Sequence, residues 1–277
     1  MLDLFAIAAK NADSIDNVFN DAVTSLPVDE AKTATEFAQW VDENTLISIN
    51  IRLFVIAELL CGIPYRNIHE WAEEQADLSG KAKDLILRER LKGFYEKRMT
   101  FDRAFQYGER FKYGALNAGG LGLSVYAPYC AVLSPDFSNA LDQIACLPGD
   151  SLDICFARAG KFDHIDLEKS VGPYSHRHWM VTSQRIGKID STPKHGWQQL
   201  LISPDSKCYF EIIFIGDITL KSLHCVRIPA AEYQAMWELA FANYGRKLSE
   251  AERAWVQDFI QLIRASKDGK IQVEVIT

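Results

Sequence analysis

The stretch Cys208-Tyr-Phe-Glu-Ile-Ile-Phe-Ile-Gly216 sets one carboxylate, Glu211, in an otherwise apolar run of aromatic and β-branched residues. Such a run reads as a β-strand that stops at a glycine. A strand interior keeps an acid where it faces solvent, pairs with a cation, or does chemistry in a cleft. Upstream, Leu147-Pro-Gly-Asp-Ser151 ends in a turn, and Arg110-Phe-Lys-Tyr-Gly-Ala-Leu-Asn117 puts an arginine at the head of another strand-like run. Each feature alone has a plain structural explanation. Glu211 could face solvent beside Tyr209 and Ile213, Arg110 could be half of a surface pair with Glu109, and Ser151 could close a turn or cap a helix.

Around these segments the texture from about residue 104 onward is that of short strands. Runs at 125–133, 152–158, 178–183, 198–202 and 209–215 are separated by Ser134-Pro-Asp, Pro148-Gly-Asp, Gly172-Pro, Thr192-Pro and Ser203-Pro-Asp. Residues 230–266 return to helix, entered at Pro229, with Ser249-Glu-Ala-Glu252 opening the last one in capping style. A final strand is expected at 271–276. The first hundred residues read as helical. Val18, Phe19, Ala22 and Val23 recur at helical spacing, and 46–63 reads as a buried helix whose Arg52 and Glu58 spoil it as a membrane span. Segments 68–76 and 82–97 continue the pattern, with Glu89, Arg90, Lys92 and Glu96 as a solvated face. The expected fold is therefore α+β: a helical domain over 1–100 and a second domain over 101–277 with a mixed β core and C-terminal helices.

Bulk properties exclude several classes. With 277 residues the chain fits one large domain or two modest ones, and 48% hydrophobic with 24% charged residues is ordinary for a globular protein. A net charge of −7 argues against a broad nucleic-acid or anionic-membrane surface, so neither partner is expected. Six cysteines, at 61, 130, 146, 155, 208 and 225, form no C-x-x-C pair and have mostly apolar neighbours; they read as buried free thiols in a reducing compartment. Residues 1–10 lack a basic leader, which points to a cytoplasmic protein or one delivered into a target cell without a cleavable signal peptide. Gly119-Gly-Leu-Gly122 lacks the pattern of a nucleotide loop. His164, His176, His178 and His195 lack ligand spacing and read as loop histidines, so no metal is expected.

Together, three segments resemble the ADP-ribosyltransferase superfamily in its bacterial Arg-Ser-Glu branch. The segment 110–117 is similar to the first motif. Tyr126-Ala-Pro-Tyr-Cys-Ala-Val-Leu133, with 147–151, is similar to the middle strand and serine motif. The run 209–220, followed by Val226-Arg-Ile-Pro229, is similar to the glutamate strand and the strand after it. The similarity spans about residues 104 to 230. It implies a cleft between two small packed sheets that holds NAD, here a substrate, and transfer of ADP-ribose to a protein acceptor with release of nicotinamide.

Breaking the nicotinamide–ribose bond builds positive charge on the sugar, which a carboxylate stabilises in the transition state more than in the ground state. The resemblance assigns that role to Glu211. Arg110 would hold the pyrophosphate through its planar fork of donors, and Ser151 would orient the glutamate. Tyr113, Gly114 and Tyr209 would join Arg110 and Ser151 in binding NAD. Family members are commonly toxins or effectors, so the resemblance implies a target protein from a host or competitor cell, with 101–277 as the catalytic domain and 1–100 as its target-recognition part or lid. The chain departs from the arginine-modifying members at Tyr209, where they carry Glu or Gln. The acceptor could thus be another side chain, a nucleic acid, a small molecule or water. Two other readings stand beside it: an NAD glycohydrolase, and a non-catalytic binding module on a degenerate fold.

Overall fold

The computed structural model describes residues 1–158, 160–203, 205, 208–242 and 247–277. Three helices come first: α1 (Leu4–Lys10), α2 (Ala12–Thr24) and α3 (Val28–Asn44). Asp3 caps α1 by accepting from the N–H groups of Phe5 and Ala6. The segment 46–63, expected as one buried helix, is instead β1 (Leu46–Ile51) followed by α4 (Leu53–Leu60). The alternation Ile47-Ser-Ile-Asn-Ile51 explains the strand: the three isoleucines enter one hydrophobic core, while Ser48 and Asn50 reach the opposite face. Next come α5 (Ile68–Ser79), α6 (Lys83–Leu91) and α7 (Tyr95–Ala104), with a short bend at 92–94 interrupting the helix expected over 82–97.

The rest of the chain supplies most strands: β2 (Lys112–Asn117), β3 (Tyr129–Leu133), α8 (Pro135–Ala140), β4 (Ile144–Leu147), α9 (Ser151–Phe156), α10 (Ile165–Ser170), β5 (Gly172–Pro173), α11 (Arg177–Ile189), β6 (Glu211–Phe214), β7 (Leu223–Pro229), α12 (Ala230–Trp237), α13 (Glu250–Lys267) and β8 (Gln272–Ile276). Three expected strands are helical. The run 152–158 is largely α9, because Asp150 accepts from the N–H groups of Leu152 and Asp153 and starts a helix. The run 178–183 lies in α11, whose Met180, Val181 and Ile189 are buried at helical spacing. The run 198–202 falls mostly within a 3₁₀ turn, Lys194–Leu200, that buries Trp197. Helix is found at 230–242 and 250–266, while 243–246 of the expected helical stretch lie outside the described residues; the Ser249 capping box with Glu252 and the last strand agree with the sequence reading. Four of the six cysteines are buried; Cys61 and Cys208 are exposed, contrary to the expectation for all six.

The strands form one mixed eight-stranded sheet, ordered β5–β4–β6–β2–β1–β3–β7–β8, in place of the two small sheets that the resemblance implies. All neighbours are antiparallel except β7 and β8. β1 pairs with β2 and β3 inside this sheet, so the boundary expected at residue 100 would cut through it, and deleting 1–100 would remove an interior strand. One face carries the larger core, including Ile212, Phe214, Leu116 and Val226, under α3, α4, α11 and α13. On the other, α1, α7, α9 and α10 cover Ala145, Leu147, Ile213 and Ile215, and where that cover ends a cleft opens.

Gly114 lets β1 and β2 approach at this point. A Cβ there would lie 2.7 Å from the Ser48 carbonyl oxygen, a backbone atom that cannot step aside. Gly114→Ala is expected to cost about 2–3 kcal/mol and to lower the melting temperature by roughly 5 °C, read by thermal unfolding.

Candidate active site

Glu211 opens β6 between two neighbours, opposite Ala115 of β2 and Leu147 of β4. Strand alternation puts it on the same face as Ile213 and Ile215, at the margin of their helical cover. The side chain is buried yet lines a cleft of about 780 Å³, within the usual range for small-molecule sites. The solvent-facing alternative for this residue is thereby removed.

The backbone N–H of Ser151, at the start of α9, donates to Glu211 Oε2 at 2.9 Å. The Ser151 Oγ lies buried beside the same carboxylate but outside good hydrogen-bond geometry, so the backbone bond is the firm contact. Burial, with the charge of Asp150 nearby, pushes the Glu211 carboxyl up from 4.5 to about 8; Ser151 and the charge of Arg98 pull it down. A carboxylate bonded by one N–H and facing an already committed guanidinium is under-compensated, which explains why desolvation wins.

Arg98, on α7, holds Asp102 one turn away, Nε to Oδ2 at 2.9 Å, and its guanidinium lies 3.6 Å from the centre of the Tyr113 ring. Asp102 is buried and takes two further contacts: His69 Nε2 at 2.6 Å and the Tyr113 hydroxyl, which donates at 3.2 Å. Burial raises the Tyr113 phenol well above its ordinary range. Tyr209, also buried, donates its hydroxyl to Asp150 Oδ2 at 2.8 Å, and burial with the charges of Glu211 and Asp150 raises its pKa. Asp150 thus caps α9 with one oxygen and holds Tyr209 with the other.

Of the expected site residues, Glu211, Ser151, Tyr113, Gly114 and Tyr209 line this one cleft. Arg110 does not. It ends a 3₁₀ turn before β2, exposed, with its guanidinium 5.8 Å from the centre of the Tyr107 ring. Phe111 takes the inward position there and leaves Arg110 in solvent. The guanidinium groups that line the cleft are those of Arg90, expected only as part of a solvated helix face, and Arg98, one residue past the helix expected over 82–97. The i,i+4 spacing of Arg98 to Asp102 was the available signal, though many exposed helix pairs share it. Asp150 was read only as part of a turn; the Asp-Ser start of a helix could have marked it. Among the described residues, no group of three or more His, Cys, Asp or Glu could hold a metal ion, and no helix is long and apolar enough to cross a membrane.

No protein-family model matches the chain, and comparison with curated proteins yields no significant match.

Proposed function

We propose that this cleft cleaves the nicotinamide–ribose bond of NAD and that the protein passes ADP-ribose to a protein acceptor, acting as a toxin or effector in another cell. The observation that carries this reading is Glu211, a buried, under-compensated carboxylate at the wall of a cleft of dinucleotide size. Such a group gains most from a positive charge that arrives or develops beside it. A bound nicotinamide riboside moiety brings that charge, and the ribosyl cation of the transition state concentrates it on the sugar. Ser151 fixes the carboxylate through its N–H, and the charge of Arg98, itself held by Asp102, acts on the same carboxylate. Tyr113 and Tyr209 supply ring surface on which the planar nicotinamide can pack.

Tyr209 favours a second reading. Its hydroxyl is tied to Asp150, and no carboxylate stands two residues before Glu211 to prepare an acceptor. Water would then take the ADP-ribose, and depletion of NAD would be the effect.

The test is nicotinamide release from biotinylated NAD in a cell lysate. Release with a labelled protein band supports transfer, and release without one supports hydrolysis. Neither release nor label, across lysates from several sources, removes the NAD reading. The pH profile adds a check. The working form of Glu211 is ionised, so kcat/KM for release is expected to rise with pH and level off above about 8. A profile flat from pH 5 to 9 would exclude Glu211 as the titrating group.

A further inference from the structure

We propose that the elbow between α6 and α7 is the anion-binding wall of the cleft, where Arg90 and Lys97 hold the two phosphates of a dinucleotide. The identity of the ligand rests on the NAD reading; the place of the wall rests on the charges of the elbow. Four cations line the cleft: Arg90, Lys97, Arg98 and Lys112. Two of them are already committed. Arg98 holds Asp102, and Lys112 is buried with its Nζ 3.2 Å from Glu70. Arg90 and Lys97 have no acidic partner among the described residues. Arg90 lies 5.5 Å from the centre of the Trp71 ring and Lys97 lies 5.6 Å from that of Phe156. Contacts of that kind orient a cation and leave its N–H donors free. In a chain of net charge −7, two uncompensated cations on one wall of one cleft are a local exception.

The backbone between them is unusual as well. Lys92 has φ 49° and ψ −121°, a region that residues with a side chain rarely occupy. Gly93 follows with open space around it, and Phe94 lines the cleft while 67% exposed. Strain and an exposed aromatic ring on one bend suit a segment that closes onto a ligand. A guanidinium can grip one phosphate by paired hydrogen bonds while an ammonium answers the next as a point charge. The elbow therefore selects for a diphosphate, and a nucleoside without phosphate gains nothing from it.

The experiment is calorimetric binding of ADP and of adenosine to the full chain, as wild type, Arg90→Gln, Lys97→Gln and Lys267→Gln, the last a control on the exposed end of α13. ADP is expected to bind the wild type and the control equally. Each elbow variant should weaken ADP at least about tenfold, the loss of one charge-assisted contact, and leave adenosine unchanged. Absence of ADP binding to the wild type overturns the proposal, as does wild-type ADP affinity in either elbow variant or an equal loss for adenosine. Arg90 and Lys97 are exposed and form no ion pair among the described residues, so their replacement should leave the fold intact. ADP binding that meets the expectation without any nicotinamide release upholds the elbow and removes the NAD reading. Release with unaltered ADP binding in the variants does the reverse.

Discussion

Glu211→Gln is expected to abolish nicotinamide release and, at the same time, to stabilise the protein at alkaline pH. The loss follows from removing the only negative charge that the cleft sets on β6, and should be at least about a hundredfold. The gain follows from linkage. Folding raises the Glu211 pKa from 4.5 to about 8, so the native state holds its proton where the unfolded chain has released it. Stability contributed by this group is fully present below 4.5, falls as pH rises from there to about 8, and is flat beyond. Glutamine mimics the protonated form and escapes that loss. Chemical unfolding at pH 4.5 and pH 9 should therefore show near-equal stabilities at the lower pH. At the higher pH the variant should lead by roughly 3–5 kcal/mol at most. A variant that still releases nicotinamide ends the catalytic assignment. One that is less stable than wild type at pH 9 would mean that the charge is well compensated after all. Obtaining both effects from one substitution would mark Glu211 as a residue kept for chemistry at a cost in stability.

The second large effect is expected at Asp102, which does not itself line the cleft but holds two residues that do. Asp102→Ala would strip Arg98 and Tyr113 of their common acceptor and leave His69 Nε2 buried without a partner. Breaking a buried pair by deleting one member costs about 3–5 kcal/mol, because the remaining charge stays desolvated. The melting temperature should fall by roughly 10 °C. Asp102→Asn keeps the shape and one acceptor oxygen and should lose less. If that variant folds with wild-type spectra yet raises KM for NAD with little change in kcat, Asp102 acts by positioning Arg98. A change of less than about 1 kcal/mol in Asp102→Ala would contradict this buried network.

The glutamate strand was legible because alternation is a local property: Glu211, Ile213 and Ile215 share a face in any strand, whatever it packs against. The bond from the Ser151 N–H to Glu211 was implied only by the resemblance, because order along a chain does not bring residues 60 apart together. β1 was misread although its Ile-Ser-Ile-Asn-Ile alternation was on view, since the apolar α4 directly after it merged both into one tract. α9 and α11 resemble strands in sequence because short apolar runs look alike in either period; the Asp150 cap of α9 and the 13-residue length of α11 are what separate them.

Arg110 and Arg98 mark the boundary between the two sources of information. Sequence alone determined an α+β chain of net negative charge with a carboxylate embedded in a strand. Which arginine meets that carboxylate depended on how α7 lies against β2, and on Phe111 taking the buried position next to Arg110. The raised pKa of Glu211 was equally out of reach, because desolvation is a property of everything packed around a group. Local pattern names the residues that can do chemistry. Only tertiary packing decides which of them lose water and which charges they meet when they do.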